Sequence, residues 1–282
     1  MDGWHVQTSG YGTNILNDYK IDFFRARHEK PFLLYLAHKA VHPELAQYAD
    51  GRVSDASGAK FLPAEWHRPL YAGTHFPRRP SAGAPPTDKP VLEWPIKHLP
   101  PLGPATGTAD ETIRNRARML QSVNEGIARM FRVLERSGRL DGTVFVLTSD
   151  EGYFFGEHGL NFERRLAYEE SIRIPLLVRY PRLIQKGSFC DAFTLDIDLA
   201  PTVLELAGLE RPATMQGRSL ARPLKGQQVH WRHSFWWNTT PTKYGLAWRI
   251  CDISVCQESA GSTSITGPAW RGRTVRPDKR SV

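Results

Sequence analysis

Thr143-Val144-Phe145-Val146-Leu147-Thr148 runs without a break into Ser149-Asp150-Glu151-Gly152. Continuous rather than alternating apolar order suits a strand covered on both faces, the parallel arrangement. The two carboxylates fall where that strand would end, and in open α/β sheets ligands bind at that edge. Before it, Asp110 to Ser137 places Met119, Val123, Ile127, Met130, Phe131 and Leu134 at helical spacing, with Gly138 as the stop. Earlier still, an amphipathic helix over Asp18 to Arg27, with Ile21, Phe23 and Phe24, feeds across Lys30-Pro31 into the apolar run Phe32-Leu33-Leu34-Tyr35-Leu36-Ala37, which reads as a buried strand. After it, Ile174 to Val178 is a second strand candidate with Pro175 at its start or on an edge. Asp198 to Gly208 is a short helix with Asp at the cap, Pro201 in the first turn and Gly at the stop. Helices alternating with buried strands imply an α/β sheet.

The 282 residues suffice for one large domain and a smaller piece, and 40% apolar content is ordinary for a chain with a core. No apolar run approaches the roughly 18 residues that cross a bilayer. The first residues, Met1-Asp2-Gly3-Trp4-His5, show no basic leader or apolar stretch, so no signal peptide is read and the compartment is left open. Cys190, Cys251 and Cys256 are too few and too unevenly spaced for a disulfide framework or a structural zinc site. The net charge of +8 comes from scattered Lys and Arg, which favours a solvated basic surface over a polyanion groove. From Pro43 to Pro104 lie twelve of the 21 prolines, with Trp66 and Trp94, the pattern of a long loop excursion of the kind that lines substrate sites. Beyond about Arg222 the periodicity fades, and 223–282 is expected to be irregular or disordered.

Four clusters could do chemistry. Asp150 and Glu151 could share a hard cation such as Ca²⁺ if the turn at Gly152 brings both round to it, although the plain alternative is a cap and a solvated acid. Gly156-Glu157-His158-Gly159 puts an imidazole on a tight turn, though a lone His is more often structural. His38-Lys39-Ala40-Val41-His42-Pro43 sets Lys39 and two His at another strand end, where cations could hold an anion and protonate a leaving oxygen; as loop residues they could equally be surface polarity. The run Glu163-Arg164-Arg165-Leu166-Ala167-Tyr168-Glu169-Glu170-Ser171 reads by itself as a solvated helix face.

Taken in order, these segments resemble the sulfatase family of the alkaline-phosphatase-like superfamily over roughly residues 10 to 220. Pro31 to Glu44, PFLLYLAHKAVHPE, is similar to the family's strand and Lys/His loop; Thr148 to Leu160 resembles its second metal motif; Tyr168 to Tyr180, YEESIRIPLLVRY, and Asp196 to Leu209 resemble the strand-leading signature and the helix that follow. The resemblance implies part of a sulfatase α/β sandwich, a central mostly parallel sheet flanked by helices, with 1–222 as the partial catalytic domain, 43–108 as the excursion within it, and 223–282 as a C-terminal remnant. It implies that Lys39 and His42 contact the sulfate ester, that Asp150 and Glu151 bind Ca²⁺, and that His158 and Arg164 serve the reaction more weakly.

The sequence departs from the family at three places. Glu151 stands where Asn or His is commoner; it keeps oxygen donors and adds charge. Arg164 stands where Lys is usual, four residues before Tyr168; it keeps the positive charge but holds its proton. The family's nucleophile is a formylglycine made in a Cys/Ser-x-Pro-x-Arg motif, and neither the three cysteines nor any serine here begins one. The expectation is a sulfuric ester hydrolase sequence that has lost an N-terminal half and is inactive by itself. Its expected partner is a sulfated small molecule or sulfated sugar, with no nucleic acid and no membrane. The rival readings are a phosphodiesterase or phosphonate hydrolase of the same superfamily, and a non-catalytic anion-binding fragment.

Overall fold

The computed structural model describes residues 8–44, 60–83, 108–160 and 168–235, and the backbone of 237–238 and 249–250. Internal contacts divide the chain into two units, Met1–Tyr180 and Pro181–Val282.

In the first unit, α1 (Gly12–Arg25) packs along α2 (Asp110–Arg136). Ile21 and Phe24 from α1 meet Met130 and Leu134 from α2 in a buried cluster, flanked by Phe32, Leu34, Ile127, Phe131 and Phe145. The helices meet closely because residue 126 is glycine: a Cβ there would lie 2.0 Å from Asn17 Oδ1. Asn17 is fixed in that gap, donating to Ser122 O at 2.9 Å and accepting from Lys20 Nζ at 3.0 Å. Lys20 is buried, and burial, with the Arg129 charge, pulls its ammonium down to about 8. A second polar pin, His67 Nε2 to Glu125 Oε1 at 2.8 Å with His67 Nδ1 3.2 Å from Ser122 Oγ, ties the single turn Glu65–His67 of the excursion to α2. α2 ends as its sequence predicts, with Gly138 at φ +67°.

β1 (Phe145–Thr148) pairs with β2 (Leu176–Arg179), and the one-turn helix α3 (Glu169–Ile172) lies between them in the chain. The α/β class expected from the sequence holds. The pairing differs from the expected parallel sheet: among the described residues this sheet is a two-stranded antiparallel ladder, Phe145 opposite Arg179 through Thr148 opposite Leu176. Residues 32–37, expected as a buried strand, are extended but join no ladder, and their exposure alternates, with Leu33 at 74% and Tyr35 at 89%. β1 is not covered on both faces either: its exposure alternates, with Val146 at 37%, so the continuous apolar run overstated its burial and with it the case for parallel pairing. Direction is decided by how 149–175 folds back, which no local pattern records.

In the second unit, α4 (Leu199–Leu206) follows a single turn Asp196–Asp198, and α5 (Ala221–Leu224) packs on α4. Asp198 is fully buried at the helix start. It accepts from Leu195 N at 2.9 Å, Arg218 N at 2.8 Å and Arg232 Nη2 at 2.8 Å, and it also pairs with Arg232 Nη1. Burial alone would raise this carboxyl, but the Arg232 guanidinium and the two backbone donors outweigh it and hold it below the ordinary carboxylate range. Gly217 is required nearby, since a Cβ would lie 1.8 Å from Ile197 O. The backbones of β3 (Trp237–Asn238) and β4 (Arg249–Ile250) form an antiparallel pair; 251–282, the larger part of the expected irregular tail, lies outside the described residues.

Candidate active site

The inward residues of the extended 32–38 segment anchor the Lys39–Glu44 loop. His38 turns inward, its Nδ1 buried without a hydrogen-bond partner, and burial followed by the Lys20 charge pushes its pKa down. Lys39 is exposed and its Nζ lies 3.3 Å from Glu44 Oε2. His42 is exposed, with Nδ1 2.9 Å from Pro43 O. A carbonyl only accepts, so Nδ1 carries the proton in that contact and Nε2 is left as the acceptor of the neutral ring. Glu44 N closes the loop on Lys60 O at 2.8 Å.

Beyond β1 the chain turns through Ser149 and Asp150. Asp150 Oδ1 accepts from Glu151 N at 3.0 Å, and Ser149 Oγ donates to Glu151 O at 3.3 Å. Gly152 then lies so close to α3 that a Cβ would sit 1.9 Å from Glu170 O. That approach lets Gly152 N donate to Ser171 O and Tyr153 N to Glu170 O, each at 2.8 Å. Phe154 is fully buried, and its carbonyl accepts from Thr108 Oγ1 at 3.0 Å, while Arg78 binds Phe155 O at 2.8 Å and Thr108 O at 2.6 Å.

His158 sits in the left-handed region, φ +56°, between Gly156 at +107° and Gly159 at +65°. Such a conformation is uncommon outside glycine and has to be held by surrounding bonds. The excursion supplies them: His158 N donates to Ser81 O and Gly83 N to Gly156 O, both at 2.8 Å. The imidazole stacks on Tyr168 with centroids 4.5 Å apart, and its Nε2 is 3.4 Å from Glu170 Oε2. Glu170 also pairs with Arg79 at 3.3 Å, and its side chain is only 8% exposed. The Glu163–Ser171 run is therefore no solvated face at its end: Glu170 and Ser171 are buried, because side-chain-free Gly152 lets α3 approach the carboxylate turn. Arg164 lies outside the described residues.

Sequence reasoning missed Glu170, Arg79 and Arg116. Arg116 of α2 donates from Nη1 to Val41 O at 3.0 Å and lays its guanidinium 3.8 Å from the centre of the Tyr153 ring. Their partners are remote in sequence, so no local signal could have marked them. Among the described residues no group of three or more His, Cys, Asp or Glu side chains could hold a metal ion. Asp150 and Glu151 have the oxygen chemistry a hard cation takes, but two carboxylates are fewer than the six to eight ligands Ca²⁺ uses. They fit as part of a cation site and not as a whole one.

Residues 156–241 match the family model for the C-terminal region of N-sulphoglucosamine sulphohydrolase. The chain is 30% identical to an N-acetylglucosamine-6-O-sulfatase of Bacteroides thetaiotaomicron over 84% of its own length and 50% of the relative's. It is 28% identical to the N-acetylglucosamine-6-sulfatase of Homo sapiens, over 79% of this chain and 38% of that one. The chain thus spans half or less of these relatives. A solved structure of a protein in complex with its substrate D-glucosamine-2-N,6-O-disulfate superposes with a TM-score of 0.65 and 26% identity, covering 85% of this chain and 58% of the other.

Proposed function

Since the chain belongs to the sulfatase family, we propose that it furnishes the ester-binding part of a sulfuric ester hydrolase acting on a 6-O-sulfated amino sugar. The observation that carries this reading is the superposition over 85% of the chain on a structure holding a 6-O-sulfated glucosamine. The internal geometry supports it, because the Lys39–Glu44 loop, the Asp150–Gly152 turn and His158 are all fastened to α2 and α3 by named contacts.

In this reading Lys39 gives up Glu44 for a sulfate oxygen. An exposed ion pair contributes at most about 1 kcal/mol, so the exchange is easy. His42, with Nδ1–H held on Pro43 O, offers Nε2, which in the charged ring donates to the ester and returns its proton to a leaving oxygen. His158 is oriented by the Tyr168 stack and by Glu170, which aim its ring at the bound anion. Arg164 can add charge but no proton. A calcium ion held in part by Asp150 and Glu151 would withdraw charge from the sulfate oxygens. The nucleophile expected of the family has no counterpart among this chain's cysteines.

Calorimetric titration of the chain with N-acetylglucosamine 6-sulfate, the unsulfated sugar and the 6-phosphate tests this. The sulfate ester is expected to bind in preference to both others, and Lys39→Ala to weaken it by about tenfold or more, the worth of one charge-assisted hydrogen bond. Equal binding of the unsulfated sugar would refute the reading, and preference for the phosphate would favour a phosphate-ester enzyme.

A further inference from the structure

We propose that Arg116 is a positioning residue that fixes the Lys39–His42 loop relative to the Asp150–Phe155 turn; the inference rests on the reading of these loops as an ester site. Its guanidinium leaves the N-terminal third of α2 and makes two kinds of contact at once. On one side Nη1 donates to the carbonyl of Val41, the residue before His42 in the loop, at 3.0 Å. On the other its plane lies over the Tyr153 ring at 3.8 Å, with Phe61 at 5.3 Å and Phe155 at 5.8 Å. Phe61 follows Lys60, whose carbonyl closes the same loop through Glu44 N at 2.8 Å. Tyr153 follows Gly152, and its N–H is bonded to Glu170 O, so a shift of its ring carries the carboxylate turn with it.

A planar cation suits this place. It can stack on an aromatic face, attracted by the ring's negative face, while its edge donates to a carbonyl. α2 is the longest helix among the described residues and is pinned to α1 through Asn17, so the clamp has a stiff base. Arg116 is only half-buried, and its contacts lie in segments outside the regular helices and strands. Loops of that kind open locally at low cost, and one shared side chain can set the spacing between them.

The test uses the full chain with Arg116→Met and Arg116→Lys, read by hydrogen exchange and by calorimetry with N-acetylglucosamine 6-sulfate. In Arg116→Met, exchange is expected to quicken by about tenfold in both 38–44 and 150–155, with 199–206 unchanged, and the ester to bind about tenfold more weakly. Lys keeps the charge and a donor but not the plane that stacks on Tyr153, so Arg116→Lys is expected to fall between Arg116→Met and the unaltered chain in both protection and affinity. Faster exchange in one loop only, or in neither, overturns the clamp, as does full-strength ester binding by Arg116→Met. If both loops loosen while the unaltered chain has no affinity for the ester, the clamp stands and the sulfatase-site reading falls.

Discussion

Replacing Asp198 by Asn removes one charge and almost no volume from the start of α4. The carboxylate is fully buried and takes four donors, two from backbone and two from Arg232, whose own side chain is 11% exposed. The amide would keep one acceptor oxygen and turn an NH₂ group toward a donor, leaving the guanidinium buried beside no counter-charge. Breaking a buried pair from one side costs about 3–5 kcal/mol. If the second unit opens with that loss, amide exchange in 195–206 and 217–224 should quicken by about 10²-fold or more. Hydrogen exchange followed by mass spectrometry reads this directly, with 110–136 as the internal control. Asp198→Leu together with Arg232→Met should regain only part of the protection, since it removes the unpaired guanidinium but leaves Leu195 N and Arg218 N without their acceptor. The sign with pH follows from the depressed carboxyl: its stabilisation is complete above the ordinary carboxylate value and is lost as pH falls through the lower folded value. Less than about tenfold acceleration in Asp198→Asn would refute the argument that this carboxylate is the keystone of the unit.

Gly152→Ala sets a Cβ 1.9 Å from the Glu170 carbonyl, a clash with backbone, so it should cost about 2–3 kcal/mol and loosen 150–158 in exchange measurements; unchanged protection there would count against the docking of the carboxylate turn on α3. Gly126→Ala drives a methyl into Asn17, which cannot rotate away from Ser122 and Lys20, and should lower the urea midpoint by the equivalent of about 1–3 kcal/mol. Lys20, with its folded value drawn down to about 8, makes the folded state resist a proton that the unfolded chain accepts near its ordinary value. Stability should therefore fall by up to about 3 kcal/mol as pH drops from about 10.5 to about 8, and Lys20→Met should lose that slope; parallel urea profiles for the two proteins would refute it.

The helices were legible because burial repeats within them. Met119, Val123, Met130 and Leu134 mark the face of α2 that is in fact buried, and Gly138 marks its end at positive φ. The Asp198–Gly208 signals coincide with α4 in extent, but Asp198 makes no side-chain cap bond to the helix and accepts from Leu195 N, Arg218 N and Arg232 instead. The sheet was legible only as apolar runs, since antiparallel pairing of Phe145 with Arg179 depends on how the chain returns and not on either strand's composition. Asp150, Glu151, Lys39, His42 and His158 could be singled out as chemically able residues next to strand ends and glycines. What holds them could not be, because it is made of remote partners: Val41 with Arg116, Ser81 with His158, Gly152 with Glu170. The reading of a solvated face failed at Glu170 and Ser171 for that reason, their burial being set by a glycine on another segment; 163–167 of that run lie outside the described residues.

Sulfate release from N-acetylglucosamine 6-sulfate, by this chain joined to a sulfatase segment carrying a formylglycine motif, tests the central claim most directly. With aldehyde content and native circular dichroism verified and Ca²⁺ present, the account predicts turnover that Lys39→Ala reduces by about tenfold or more. A folded, aldehyde-bearing protein that releases no sulfate, or one whose rate ignores Lys39 and His42, would contradict it.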